Sequence, residues 1–120
     1  MIVMKKANKT DTAVLKKEFN ISGSADIFYI YDNKYVAALT FSDNEIFDFY
    51  IGRSQTDTGF YLTNLLKAVL NCIDLAGFDK AVCKNTALIE ALNKSDFTRD
   101  NGVFTLDLKD YFSKKNCEKL

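Results

Sequence analysis

Few residues of this sequence can do chemistry. Asp48 lies in the aromatic run Glu45 to Ile51, Gly59 opens the longest helical pattern, Asn85 stands where a second helix begins, and Cys72, Cys83 and Cys117 are the thiols. A helix start such as Thr58, Gly59, Phe60, Tyr61 and Leu62 offers unpaired backbone N–H groups and a positive dipole end to an anion. A small residue there lets phosphates approach the backbone. The same glycine can equally be a loop residue ahead of a helix, with Thr56, Asp57 and Thr58 supplying the N-cap. Asp48 can equally be a solvent-facing or salt-bridged acid. Arg53 carries a planar fork suited to a phosphate or carboxylate, or to pairing with a nearby acid such as Asp57.

Composition closes other routes. With no histidine among 120 residues, every Ser-His or Cys-His nucleophile and the commonest zinc ligand sets are excluded. The three cysteines form no CxxC pair, and an odd count fits reduced thiols in a reducing compartment. Cys83 and Cys72 read as small buried hydrophobes, since nothing is placed to activate them. Sixteen basic residues balance sixteen acidic ones and are scattered along the chain, so no electrostatic footprint for nucleic acid is present. No apolar run approaches the roughly 20 residues that span a bilayer, and Met1 to Lys6 is too short for a signal-peptide core. A cytoplasmic protein without a membrane or nucleic-acid partner is expected.

The elements that must position these residues follow from apolar periodicity. Hydrophobic residues make up 48% of the chain, enough for one core and one domain over residues 1–112, followed by a charged tail over 113–120. Ile2 to Met4 reads as a brief strand. Thr10 or Asp11 can cap a short helix from Thr12 to Phe19. Ile27 to Tyr31, Tyr35 to Phe41 and Glu45 to Ile51 form a three-strand antiparallel meander, with turns at Asp32-Asn33 and Ser42-Asp43-Asn44. Strict alternation puts Phe47, Phe49 and Ile51 on one face of its third strand and Ile46, Asp48 and Tyr50 on the other. Leu62, Leu65, Leu66, Val69, Leu70 and Ile73 recur at helical spacing, and Gly77 ends that helix. Lys80 to Lys84 is a strand, Asn85 or Thr86 caps a helix to about Lys94, and Phe97 to Arg99 pairs with Val103 to Leu108 across an Asn101-Gly102 turn. Strand, helix, strand implies a parallel crossover. The class is α/β, or α+β with a mixed sheet: a meander, then strand, helix, strand and helix, then a C-terminal hairpin.

This order, together with Glu45 to Leu66 and Asn85 to Leu108, resembles the GNAT superfamily of acetyl-CoA-dependent N-acyltransferases over roughly the last three quarters of the chain. The family places (Q/R)-x-x-G-x-(G/A) between a strand and the helix that holds the CoA pyrophosphate. Counted from Ile51, the first glycine falls on Gly59, while Tyr61 takes the second small position and Thr56 the Gln/Arg position. Counted back from the paired Leu65 and Leu66, the small positions fall on Phe60 and Leu62. Asn85 and the ending Leu92-Asn93-Lys94-Ser95-Asp96-Phe97 resemble the family's second motif, with Asp96 in place of its glycine and Leu92 where many members carry a tyrosine that protonates the departing thiolate. The segment Lys5 to Ala25 is shorter than the family's usual two-helix insert.

The resemblance implies a GNAT-like acyl-CoA N-acyltransferase fold. It implies an acetyl-CoA site at Ile51, Thr58 to Leu62 and Asn85, Asp48 as general base toward a small-molecule or peptide amine, and no metal. Exposed strand edges would allow a homodimer. A GNAT-fold binding or interaction module that has lost CoA stays open beside the enzyme. So does an α+β ligand-sensing domain of the PAS or profilin-like kind.

Overall fold

The computed structural model describes residues 2–52, 56–109 and 111. Arg53, Phe112, Cys117 and the tail over 113–120 lie outside them. The order is β1 (Val3–Lys6), α1 (Lys9–Glu18), β2 (Asp26–Tyr31), β3 (Tyr35–Ser42), β4 (Glu45–Ile51), α2 (Thr58–Leu75), β5 (Lys80–Cys83), a 3-10 turn (Thr86–Leu88), α3 (Ile89–Lys94), β6 (Thr98–Asp100) and β7 (Val103–Asp107). The seven strands form one mixed sheet in the order β1-β2-β3-β4-β5-β7-β6. The pairing of β4 with β5, around the α2 crossover, is parallel, and the other neighbours run antiparallel. This is the α/β mixed sheet expected from the pattern.

A helix packs on each face of the meander. On one, Leu65, Leu66, Val69, Leu70 and Ile73 of α2 pack against Ala37, Leu39 and Ile46, and Leu92 and Phe104 extend the same cluster. On the other, Leu15 of α1 closes a smaller cluster with Ile27, Tyr29 and Ala38. Turn chemistry matches residue type: Asn101 and Gly102 both take positive φ, at 51° and 80°, which a two-residue hairpin of the right twist requires. Gly77, at φ 95°, ends α2, and the next N–H, of Phe78, returns to the Ile73 carbonyl at 3.3 Å.

Several local expectations are corrected. Strand β1 starts at Val3 rather than Ile2. Helix α1 is capped neither by Thr10 nor by Asp11 but by Asn8, whose side chain accepts from the Asp11 N–H at 2.8 Å, the third helical position that an N-cap oxygen reaches. The expected helix to Lys94 begins as a 3-10 turn and becomes α-helical only at Ile89. Cys83 is fully buried as expected, while Cys72 is only partly so.

Under α1, the Tyr29 hydroxyl donates to Asp11 Oδ2 at 3.0 Å, and Lys5 approaches the same oxygen at 3.7 Å. Burial first, then the Asp11 hydrogen bond and charge, push the Tyr29 phenol up to about 12. Because an unfolded tyrosine ionises near 10, this contribution to stability is complete below pH ~10 and is lost as the pH rises through about 12. Denaturant midpoints should therefore fall across that alkaline window. The Tyr29→Phe variant should show a shallower fall, and equal slopes in the two proteins would contradict the assignment.

Candidate functional site

The site begins with one extra residue in β4. Leu39 pairs with Phe49 and Phe41 with Ile46, so Phe47 and Asp48 together stand opposite Thr40, which is a β-bulge. Thr40 holds it: its buried Oγ1 accepts from the Asp48 N–H at 3.0 Å and donates to the Asp48 carbonyl at 3.3 Å. Strict alternation fails here for that reason. Ile46 and Phe49, three residues apart, both join the core under α2, whereas Tyr50 packs toward the α1 cluster, 6.3 Å from the Phe19 ring. Phe47 leaves the core and lines an open groove with Asp48 and Tyr50.

The bulge coincides with the parting of two strands. Parallel pairing of β4 with β5 is confined to Glu45 with Val82 and Ile46 with Cys83, after which β4 runs on to Ile51 paired with β3 only. Asn85 bridges the opening. Its Nδ2 donates to the Phe47 carbonyl at 2.8 Å and to Asp48 Oδ1 at 3.2 Å, and its Oδ1 accepts from the Ala87 N–H at 3.0 Å, capping the 3-10 turn. Thus Asp48 and Asn85, 37 positions apart, meet at one point. The neighbouring Cys83 thiol is pushed up by burial, more than the Asn85 backbone N–H lowers it, which suits a core thiol and not a nucleophile. Burial, then the Asp48 charge, likewise raise the Tyr50 phenol, which stays protonated.

On the other side of Asn85, the start of α2 faces the 3-10 turn and α3 across a groove of about 370 Å³. Thr58, Gly59 and Leu62 line one wall, and Ala87, Glu90 and Lys94 the other. The expected N-cap does not form: Asp57 occupies the cap position, but its side chain accepts no helix N–H. A Cβ built on Gly59 would meet nothing within 4 Å, so the first turn is open to an incoming group. The remaining residues of the helix start are placed elsewhere. Phe60, 60% exposed, and Tyr61 line a separate apolar recess with Ile2, Met4 and Ile30. Ile51 is half-buried at the end of β4. Leu92 is fully buried, so no proton donor stands at that position. Arg53 lies outside the described residues. Among the described residues no group of three or more acidic or cysteine side chains could hold a metal ion.

No protein-family model matches the chain, and no curated protein does. Solved structures do. An N-acetyltransferase from Staphylococcus aureus Mu50 superposes with a TM-score of 0.67 at 16% identity, covering 90% of this chain and 99% of that one. The spermidine/spermine N-acetyltransferase SpeG of Vibrio cholerae gives 0.68 at 10% identity, covering 95% and 99%. YncA of Salmonella typhimurium, solved with its cofactor acetyl-CoA, gives 0.67 at 13% identity, covering 89% and 94%. The chain has the GNAT acyltransferase fold.

Thr40 was not singled out by the sequence, although a hydroxyl within an otherwise apolar strand is the signal that marks it. Thr40→Val keeps the shape and removes both bonds to Asp48. Leaving a part-buried N–H without its partner costs about 1–3 kcal/mol, so urea unfolding should register a loss in that range. Unchanged stability would mean that the bulge does not depend on this hydroxyl.

Proposed function

We propose that this GNAT-fold chain transfers an acetyl group from acetyl-CoA to an amine. The observation that carries the reading is the junction at Asn85, where one side chain orients the Asp48 carboxylate and caps the turn walling the groove at the start of α2. The groove fits an anionic cofactor: the first turn is uncapped, Gly59 leaves its backbone open, and Lys94 adds a cation to the opposite wall. Glu90 lines the same wall as Lys94 and Asp57 stands at the helix start, so both carboxylates oppose a bound phosphate unless they turn aside.

Acetyl-CoA would supply an acyl group activated as a thioester. The free N–H groups of the first turn of α2, at Thr58 and Gly59, would hold its phosphates, and the main chain of Ile51 would line the path of its thioester arm. Asp48, fixed by Asn85 through Oδ1, accepts the proton that the amine nitrogen sheds as its lone pair attacks the carbonyl carbon. A C–N bond forms, the C–S bond breaks with its electron pair passing to sulfur, and water supplies the proton to the thiolate because Leu92 has none. That buried Leu92 favours one alternative, a GNAT-fold binding module that has kept the architecture without the reaction. The spermidine/spermine and YncA neighbours support a small amine and acetyl-CoA as the reactants.

Two variants test the roles separately. Gly59→Glu, whose Cβ meets no neighbour, should leave the fold intact and abolish acetyl-CoA binding in calorimetry by setting a carboxylate against the phosphates. Undiminished affinity would remove the helix start from the cofactor site. Asp48→Asn should lower the acetyl-transfer rate by about a hundredfold, and an unchanged rate would return Asp48 to an ordinary surface acid.

A further inference from the structure

A second groove of about 370 Å³ opens on the α1 side of Asp48, between the 22–25 loop and the bulge. Its lining combines the hydroxyl-bearing Ser22, Ser24 and Ser42 with the rings of Phe47 and Tyr50 and the carboxylate of Asp48. Asp48 is the one charged residue among the described residues that line it. The nearby cation, Lys16, is held by the Gly23 carbonyl, to which its Nζ donates at 2.6 Å. Asn85 occupies Asp48 Oδ1, and no described residue engages Oδ2.

This pattern selects a ligand by charge count. A single carboxylate with no basic partner among the described residues holds one ammonium group. A polyamine would leave its further ammonium groups in the groove without counter-charges, and an amine bearing a carboxylate or phosphate would set that anion against Asp48 with no cation among the described lining residues to offset it. The serine hydroxyls offer both donors and acceptors, and the two rings offer apolar faces to a carbon skeleton and a cation. The volume lies at the small end of small-molecule sites, which run from roughly 300 to 1,000 Å³.

From this we infer that the groove binds a small, singly cationic primary amine bearing hydroxyl groups and no acid group, of the amino-sugar or amino-alcohol class. The amine's fate as acetyl acceptor rests on the acyl-transfer reading, while its binding does not.

The test is calorimetric titration of the full chain with glucosamine, N-acetylglucosamine, glucosamine 6-phosphate and spermidine, each with and without acetyl-CoA. Glucosamine should bind at least about tenfold more tightly than the other three, and Asp48→Asn should weaken it by about tenfold or more. Tighter binding of spermidine or glucosamine 6-phosphate, no glucosamine binding, or an Asp48→Asn variant that binds it normally would overturn the inference, and acetyl-CoA binding in the same experiments would leave the acyl-transfer reading standing. Glucosamine binding without acetyl-CoA binding would uphold the groove and overturn acyl transfer.

Discussion

One hydroxyl fixes where the sheet opens. By bonding both backbone groups of Asp48, Thr40 holds an extra residue in β4, and that residue changes which side chains face the core and which face the grooves. The parallel ladder with β5 stops at the residue before the bulge. A parallel ladder that ends inside a sheet leaves carbonyl and N–H groups to be satisfied otherwise, and Asn85 meets part of that demand by donating to the Phe47 carbonyl. The opening is therefore a hydrogen-bonded feature, not a defect of packing.

The rest of the architecture keeps that opening rigid. Helix α2 lays an unbroken apolar stripe across β2 and β3. Leu92 and Phe104 extend the same core beneath α3 and β7, which sets the opposite wall of the groove. Helix α1, with its smaller cluster, covers only part of the other face, and the uncovered remainder is the groove beside Asp48. One groove borders Phe47, Asp48 and Tyr50, and Asn85 ties that segment to the other groove by bonding Asp48 and capping the 3-10 turn that walls it.

Element types and their order were legible because each carries its own period or turn chemistry. The bounds of β4 were read directly from Glu45 to Ile51, and Asn101-Gly102 announced its hairpin. The bulge was hidden because its cause, the Thr40 hydroxyl, sits on the neighbouring strand. Asn8 was visible in principle, three residues before Asp11, but Thr10 and Asp11 are equally good cap types. At the site, Asp48 and Asn85 were each legible by type, while their contact depends on a crossover between them. The side chains of Phe60 and Tyr61 went the other way. The sequence placed them at a helix start, and only the helix's rotation shows that they face the recess beside β1.

The central claim is that the start of α2 and the bulge of β4 form one acetyl-CoA site. Titrating the isotope-labelled chain with acetyl-CoA and following its backbone amides by NMR tests this most directly. Binding in the micromolar range, about 8 kcal/mol, with the largest shifts at Thr58 to Tyr61 and at Phe47 to Ile51, is the predicted result. No shifts up to millimolar cofactor, or shifts confined to the recess at Met4 and Phe60, would contradict it.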